Sequence, residues 1–476
     1  MRLYIFSERK EIRFMKRICK TLLLAAVIMA MLAATAFAVD YTRSADALKD
    51  LGLFKGSDKG YELDRAPTRL EAGVMLVRLL GQEDNAKALA ANYTAPFTDV
   101  KPWAYGYVQY LYDNGLSKGQ GGGLFGSDNP CTAQQYATFL LRALGYADSG
   151  NTPDFNYANA ISYATLKGVV DDLNCDSSNF LRGHMAAMGY TALSAAPKTG
   201  EANLLTKLTA SGAIADAKGY DKKFEALRAF DAVSAKTSDV TAMAFKMDMD
   251  MTVSAGGENL AVKASGDIKA AVDMNDLNKT KMAMDMKMEA EGESQDVKYY
   301  YTDGAMYMDM GGQKVKYALP LDFVGDIANA SKSGSKTPLC MVKDASASVS
   351  GDQTTYTVSL DSVFVNSLIQ DVLSESGIMD AAIGSALQTS GAANSEEMQA
   401  AMSELMKTIQ LSADKMDVAV IVKGEDLTGM AIDMNMTLAM AGEKMGMTLK
   451  ANIADLVTEG VTVTLPTDLS GYTDLA

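Results

Sequence analysis

Methionine recurs at every second position along several segments of this chain, and its thioether sulfur is the side-chain group with the clearest chemical potential. The first such segment reads FKMDMDMTV, and related runs follow it. Thioethers can ligate a soft metal such as Cu(I), and the unbranched methionine side chain can also line an apolar space of changing shape. The candidate residues are Met247, Met249, Met251, Met282, Met284, Met286, Met306 and Met308.

Three interpretations of these methionines are open. They can form the plain core of a sheet, line a cavity for acyl chains, or bind a soft metal. The metal interpretation is the weakest, since no cysteine or histidine lies among the methionine-rich segments. The sequence therefore predicts no metal site, and it leaves the choice between a packed core and a hydrophobic ligand cavity open.

Other residues that commonly support catalysis are scarce. His184 is the one histidine of the chain, so few side chains are suited to general acid–base catalysis or zinc binding. The carboxylates of Asp248, Asp250 and Asp285 alternate with methionine and are expected to face water. Residues Gly119–Gly126 form a glycine-rich run that lacks the Lys-Ser/Thr ending of a phosphate-binding loop. The sequence thus predicts a protein that is not an enzyme and carries no cofactor.

The first 38 residues have the pattern of a secretory signal peptide. Basic residues precede an apolar run from Leu22 to Phe37, which ends in Ala-Phe-Ala, and Met15 is an alternative start. The leader carries seven basic and two acidic side chains, so its removal changes the net charge from −15 to −20. Such an acidic chain lacks the basic surface of a nucleic-acid-binding protein. We expect a secreted protein with no transmembrane span after cleavage.

The mature chain keeps three cysteines, Cys131, Cys175 and Cys340. An odd, sparse set of this kind is not a disulfide framework. Cys131 and Cys175 can pair in principle, but free buried thiols are the preferred interpretation.

An internal repeat follows the signal peptide. Residues Pro67–Gly81 align with Pro130–Gly145, and each copy has a threonine that can cap a helix and a glycine that can end it. A shorter apolar helix is predicted before each copy, and a third, degenerate copy covers Ile161–Leu193. The unit is therefore expected to be a helix, a loop and a second helix, repeated three times.

Over residues 41–195 these repeats resemble the surface-layer homology (SLH) repeats of bacterial cell-wall proteins. The second copy carries the most specific matches, at Phe97, Asp99, Val100, Trp103, Ala104 and Gly115. The resemblance implies an all-α, three-pronged helical bundle. It also implies that the protein is held non-covalently on acidic, pyruvylated polysaccharide of the cell wall.

In that family the arginine of a Thr-Arg-acid motif contacts the glycan. Arg69 matches this arginine in the first copy, Arg182 matches it in the third, and Ala133 replaces it in the second. A guanidinium can pair with a carboxylate through two parallel hydrogen bonds, and an aromatic ring can pack on a sugar. The resemblance therefore implies glycan-binding roles for Arg69, Arg182 and Trp103. Alternatively, Trp103 is a core residue and the arginines are solvated, while His184 is expected to cap a helix or to face solvent.

Residues 196–238 mix small, polar and charged side chains and are expected to form a helical linker with one or two helices, the second at Lys222–Lys236. Over residues 239–476, alternation with a period of two predicts an antiparallel sheet with one polar and one methionine-rich face. Apolar residues at helical spacing predict two or three inserted helices between Ser362 and Gln410. The predicted fold class is multidomain, an all-α repeat bundle followed by an α+β domain whose curved antiparallel sheet is covered by inserted helices.

The tyrosine-rich hairpin at Asp296–Pro320 and the closing segment VTVTLPTDLSGYTDL resemble half-barrel lipoprotein carriers of the LolA and LppX type. This resemblance covers about residues 239–476 and implies a hydrophobic ligand between the sheet and the helices. The lipid-anchoring cysteine of that group is missing, which leaves the repeats as the anchor. Two functions compete: a wall-attached binder of a hydrophobic or lipid ligand, and a structural surface-layer protein whose sheet domain is a solidly packed module.

Overall fold

The computed structural model describes residues 40–171, 173–200, 202–236, 240–273, 275–319, 336–363, 365–366, 410–440 and 443–474. The predicted signal peptide and almost all of the predicted helical insert lie outside these residues. The described chain begins with helices and continues as one large antiparallel sheet, as the sequence predicts. The helices are α1 Thr42–Asp50, α2 Arg69–Leu79, α3 Glu83–Ala88, α4 Tyr105–Asp113, α5 Ala133–Ala143, α6 Ala160–Leu166, α7 Arg182–Ser194, α8 Leu204–Ala210 and α9 Tyr220–Ala235.

The second helix of the first two repeats begins with the same reciprocal cap. Thr68 Oγ1 accepts a hydrogen bond from the Glu71 backbone N–H at 3.2 Å, and the Glu71 carboxylate accepts the Thr68 N–H at 2.8 Å. Thr132 and Gln135 form the same reciprocal pair at the start of α5. These capping boxes satisfy backbone N–H groups that would otherwise lack a partner, so α2 and α5 begin at equivalent positions.

The six repeat helices close into a ring with approximate threefold symmetry. The long helices α2, α5 and α7 contact one another in the centre. The first helix of each repeat packs on the long helix of the preceding repeat, so that α4 lies on α2, α6 lies on α5, and α1 lies on α7. Leu76, Leu140 and Met188 are completely buried between them. The first and third repeats are therefore neighbours in space although they are distant in sequence.

The segment between the repeats and the sheet is packed against both. Its helices α8 and α9 contribute Leu204, Leu205 and Phe224 to the same apolar core as the repeats. The other end of α9 lies on β7, β8 and β9, where Val233 packs with Val420 and other valine residues. The segment that the sequence marks as a linker thus joins the two parts through continuous apolar contact.

In the described residues the sheet has twelve strands, in the order β12-β6-β5-β4-β3-β2-β1-β11-β10-β9-β8-β7. Neighbouring strands are antiparallel except β12, which runs parallel to β6. The order places β1 in the middle, with the strands that follow it on one side and the later strands returning on the other. The bounds are β1 Ala242–Ala255, β2 Glu258–Ala271, β3 Lys281–Ala290, β4 Glu293–Thr302, β5 Ala305–Met310, β6 Gln313–Ala318, β7 Val342–Ser350, β8 Gln353–Leu360, β9 Gln410–Lys423, β10 Asp426–Met440, β11 Glu443–Val457 and β12 Thr473–Asp474.

The eight predicted methionines share one face of this sheet. Residues that face each other across neighbouring strands lie on the same side, and these paired positions form apolar rows. Met282, Tyr301 and Met306 form one such row across β3, β4 and β5. All eight methionines belong to one apolar cluster, which we call the methionine face. Asp248, Asp250 and Asp285 are exposed on the opposite side, as predicted.

Gly266 allows two strands to approach closely in the middle of the methionine face. It lies between Met247 on β1 and Met286 on β3. A Cβ atom at this position would lie 2.0 Å from the carbonyl oxygen of Asp285, which is closer than any real contact. A larger residue would force the strands apart, so glycine is required at this point in the curved sheet.

Candidate functional site

Each long helix of the repeats starts against the loop of the next repeat around the ring, and we call each of these contacts a junction. At the Arg69 junction, the Arg69 backbone N–H donates to the Asn129 carbonyl oxygen at 2.8 Å. The guanidinium Nε donates to the Phe125 carbonyl oxygen at 2.9 Å, and Nη2 donates to Ser117 Oγ at 3.3 Å. Arg69 is only 4% exposed. The alternative of a solvated arginine is therefore wrong.

Two aromatic rings enclose the charge of Arg69. The guanidinium carbon lies 5.3 Å from the ring centroid of Phe125 and 4.8 Å from that of Phe139. Burial lowers the pKa of Arg69, although an arginine side chain stays charged at neutral pH. The rings partly offset the cost of burying a cation, since each presents its negative face to it.

Among the described residues, no aspartate or glutamate lies within ion-pair distance of Arg69. Its hydrogen bonds use Nε and Nη2, which leaves Nη1 without an acceptor in the described part of the chain. A buried cation without an anionic partner is costly. The Arg69 junction therefore favours an external anion, and a carboxylate is the group that a guanidinium fork fits best.

The Arg182 junction has the same framework. The Arg182 backbone N–H donates to the Arg65 carbonyl oxygen at 2.9 Å, and its Nε donates to the Tyr61 carbonyl oxygen at 3.0 Å. The Phe54 ring lies 5.5 Å from the guanidinium carbon. Arg182 is 6% exposed, so this arginine is not solvated either. In contrast to Arg69, it has a carboxylate neighbour, because its Nη1 lies 3.3 Å from Oε1 of Glu71.

The third junction has no cation, as Ala133 predicts. Ala133 is 1% exposed at the start of α5 and faces the loop of the third repeat. In that repeat His184 takes the place of the acidic residue, and its Nδ1 accepts the Leu181 backbone N–H at 3.0 Å. The prediction that His184 caps a helix is confirmed. Ala133 therefore brings no cation to this junction.

Trp103 lies on the surface of the second repeat. Its ring is 61% exposed and meets the Tyr107 ring edge-on, at 6.5 Å between centroids. The alternative of a core tryptophan is therefore wrong. The Asp99 carboxylate accepts hydrogen bonds from the backbone N–H groups of Phe125 and Ser127, at 2.7 and 2.9 Å. The segment that carries Trp103 is thus fixed to the loop that holds Arg69, although the two side chains make no described contact with each other.

One feature of the Arg69 junction was missed by reasoning from sequence. The enclosing rings of Phe125 and Phe139 come from a loop and a helix of the second repeat, and no local pattern marks them. The absence of a carboxylate was visible, however. Aligning Thr68 with Thr132 places Glu71 on Gln135, so a neutral amide stands where the first repeat has an acid.

The methionine face is largely buried. Met251 is 2% exposed, and Met288 and Met308 are 1% exposed, whereas Met247, Met282 and Met284 are half-buried. The helical region covers part of the face, since Leu173 of the third repeat packs against the cluster. Val233 of α9 packs in a separate apolar cluster with Val420 and Val422 of β9. The face is thus mainly apolar, although Gln295 of β4 lies on it opposite Met288.

The described residues also answer three smaller questions from the sequence. Cys131 and Cys340 are free and buried, and burial raises the pKa of the Cys131 thiol to about 12. No cluster of three or more histidine, cysteine, aspartate or glutamate side chains in the described ranges is arranged to hold a metal ion. Across those same ranges, none of the helices is both long enough and apolar enough to cross a membrane.

Comparison with known families divides the chain in the same way. Residues 96–137 match the S-layer homology domain, which confirms the recognition of these repeats. Residues 226–456 match a family of unknown function, DUF6612. The first match covers the segment that contains Trp103 and Phe125, and the second covers α9 and most of the sheet.

Relatives of known name match only part of this chain. The surface layer protein of Brevibacillus choshinensis is 30% identical over 160 residues, which are 31% of this chain and 14% of that protein. An endoglucanase of Bacillus sp. strain KSM-635 is 37% identical over 82 residues, which are 17% of this chain and 8% of the enzyme. The chain therefore spans a small share of each relative. The S-layer homology match and the surface-layer relative confirm the predicted location at the cell surface.

Among solved structures, LprF from Mycobacterium bovis aligns with 51% of this chain and 98% of its own, at 10% identity and a TM-score of 0.26. A TM-score this low carries no conclusion about fold or ligand. The architecture of the sheet domain therefore rests on its own strand order and register.

Proposed function

We propose that this protein is a non-catalytic cell-surface protein whose repeats bind an acidic cell-wall polysaccharide through Arg69. The observation that carries the proposal is the burial of the Arg69 cation between two aromatic rings without a carboxylate partner. A pyruvyl or other carboxylate on the glycan would supply the missing charge. The exposed ring of Trp103 offers a sugar-packing surface on the second repeat, whose loop forms part of the Arg69 junction, and Arg182 occupies the equivalent position in a second junction.

Sedimentation of the mature chain with purified cell-wall sacculi tests this proposal. Arg69→Met keeps an apolar stem between the two rings but removes the cation, and we expect it to weaken wall binding by about 30-fold or more. Lys59→Ala removes an exposed cation of the first repeat and should leave binding unchanged. Wild-type protein that stays in the supernatant, or Arg69→Met that binds like the wild type, would overturn the proposal.

We further propose that the sheet domain holds a hydrophobic or lipid ligand on its methionine face. Methionine lowers strand propensity relative to β-branched residues, so its repeated use on one face points to a need for an adaptable apolar surface. A specific observation favours the alternative of a packed display module, because Leu173 already covers part of the face. Native mass spectrometry of the mature protein, before and after lipid extraction, distinguishes a bound ligand from an empty module.

Mild hydrogen peroxide should oxidise the half-buried methionines Met247, Met282 and Met284 before Met288 and Met308, which are almost inaccessible. Oxidation converts the thioether to a polar sulfoxide, and peptide mass spectrometry reports its rate at each residue. If the face binds a lipid, adding phospholipid vesicles should slow oxidation of the first group several-fold. Rapid oxidation that lipid leaves unchanged would contradict a ligand-binding face.

A further inference from the structure

A cavity of about 240 Å³ lies at the end of α2, where the first repeat meets the segment that leads to the sheet. Its apolar wall contains Leu51, Leu53 and Ile214, which are buried. Its polar wall carries four charged side chains, those of Lys55, Arg78, Glu83 and Asp84. Arg69 begins the same helix at its opposite end, so the cavity is separate from the Arg69 junction.

Glu83 holds the charged wall in place. Its Oε2 accepts a hydrogen bond from Lys55 Nζ at 2.6 Å, and its Oε1 accepts from Nε and Nη2 of Arg78 at 3.2 and 3.1 Å. The Tyr107 hydroxyl donates to Oε1 at 2.7 Å, and Lys87, which is not part of the lining, lies 3.3 Å from it. Burial acts to raise the pKa of Glu83, but hydrogen bonds from Lys55 and Tyr107 lower it to about 2. The ionised carboxylate therefore fixes both cations at the cavity wall.

The second repeat has an equivalent ionic contact in a closed form. Arg142 pairs there with Asp148, and its Nη1 also donates to the Leu116 carbonyl oxygen at 2.9 Å. Leu53 occupies the position of Leu116 in the first repeat. Among the described residues, no hydrogen bond joins Arg78 to the Leu53 carbonyl oxygen, because Arg78 directs Nε and Nη2 to its carboxylate partner. The space beside Leu53 therefore stays open.

The segment before the sheet supplies the remaining wall. Ala213, Ile214 and Ala215 follow α8 and line the cavity. Their backbone comes so close to the end of α2 that a Cβ atom on Gly81 would lie 2.1 Å from the Ala213 carbonyl oxygen. Gly81 also has a φ of +65°, which glycine adopts without strain. The cavity is therefore a built part of the fold, closed by residues that are distant in sequence.

The lining suits a neutral ligand that is rich in hydroxyl groups. Its two positive and two negative side chains balance, so a ligand with a net charge gains no overall attraction. Lys55 and Arg78 can donate hydrogen bonds to sugar hydroxyls, and Asp84 can accept them. Leu51 and Leu53 offer apolar surface to the C–H groups of a sugar ring. The volume is below the range of about 300–1,000 Å³ that drug-sized ligands occupy, so a single sugar unit is expected.

We propose that this cavity, between the end of α2 and residues 213–215, binds one neutral sugar unit. The unit is either part of a wall polysaccharide or a free sugar, and both present the same hydroxyl groups. The site goes beyond the proposed wall binding, because it takes a neutral unit at one end of α2 whereas Arg69 would take an acidic one at the other.

Isothermal titration calorimetry of the mature chain with glucose and with N-acetylglucosamine tests the cavity. We expect saturable binding of at least one of them, with a dissociation constant of about 1 mM. Lys55→Ala removes a donor from the lining and should weaken binding by about fivefold or more. Lys118→Ala is the matched control, since Lys118 bonds to Asp148 in the second repeat as Lys55 bonds to Glu83, and it should bind like the wild type.

A second variant leaves every charge in place. Ala215→Phe adds bulk to the exposed rim of the cavity and should also weaken sugar binding, without changing the melting temperature. Arg69→Met should bind the free sugars like the wild type. A purified wall oligosaccharide that binds Arg69→Met, and binds it more weakly once Lys55→Ala is added, would identify the wall as the source. Binding of free sugars alone would identify a free sugar.

Three results would overturn the inference. They are no saturable binding of either sugar, tighter binding of glucuronate than of glucose, and equal losses of affinity in Lys55→Ala and Lys118→Ala. The proposed wall binding would stand after any of them, because sedimentation with sacculi and Arg69→Met tests it separately. Conversely, sugar binding that depends on Lys55 would survive a failure of the protein to bind sacculi.

Discussion

Replacing Met251 by glutamate should lower the free energy of unfolding by about 3–5 kcal/mol, because the new carboxylate would be buried without a partner. Met251 is 2% exposed in the middle of β1. Its direct neighbours across the strands are Val262 on β2 and Leu449 on β11, and both are apolar. Urea denaturation of the mature chain, followed by circular dichroism, measures the change.

Ser254→Glu is the matched control for this prediction. Ser254 lies on the same strand, is exposed, and faces Asn259 and Gly446 across the strands. A charge at this position stays in water, so its effect should remain within about 0.5 kcal/mol of zero. Equal losses of stability in the two variants would show that β1 does not bury its methionines in the observed register.

The second large effect concerns Lys223, which joins α9 to the edge strand β7. Its Nζ donates to the carbonyl oxygens of Val342 and Lys343, at 3.0 and 3.1 Å. Burial lowers the pKa of Lys223 to about 8, with Asp344 acting against this shift and Arg43 adding to it. Because the unfolded chain binds this proton more tightly than the folded protein does, the contribution of Lys223 to stability should increase as the pH rises from about 8 toward 10.5.

The expected size of this contribution is about 2–3 kcal/mol at pH 10 relative to pH 7. The wild type must be compared with Lys223→Met at each pH. Burial raises the pKa of the Cys131 thiol, so above pH 9 this thiol ionises in the unfolded chain before it does in the folded protein, and this lowers the stability of both proteins. As the pH rises, the free energy of unfolding of the wild type should increase relative to that of Lys223→Met. Parallel pH profiles for the two proteins would contradict a buried ammonium group at this interface.

Local patterns predicted the elements of this fold well. Thr68 and Thr132 marked the starts of two long helices, because a capping hydroxyl acts within one turn. The alternation in FKMDMDMTV predicted β1 and its apolar side, because a strand has only two faces. The sequence did not reveal β7 and β8, whose small polar residues alternate weakly. Nor did it show that the segment before the sheet packs into a shared core, since weak helical periodicity resembles that of a loose linker.

The candidate site was predictable in its residue types but not in its charge balance. The motif identified Arg69 and Arg182, whereas their environments depend on partners far along the chain. Arg182 and Glu71 are separated by 111 positions, and they meet only because the ring brings the first and third repeats together. A sequence pattern within one repeat cannot show such a contact. The motif therefore identified Arg69 and Arg182 without showing that the fold gives them different charged surroundings.

The central position of β1 also governs how the chain must assemble. One edge of β1 pairs at once with β2, its neighbour in sequence, whereas the other edge pairs with β11, about 200 residues later. Before β11 pairs with it, that edge of β1 exposes unpaired backbone hydrogen-bonding groups beside a row of methionines, so it can pair with another chain and aggregate. Asp248 and Asp250 lie on this strand, and their charges oppose pairing with another copy. We therefore expect the pairing of β1 with β11 to be slow and to occur late in folding. Until then, Asp248 and Asp250 should reduce aggregation of β1.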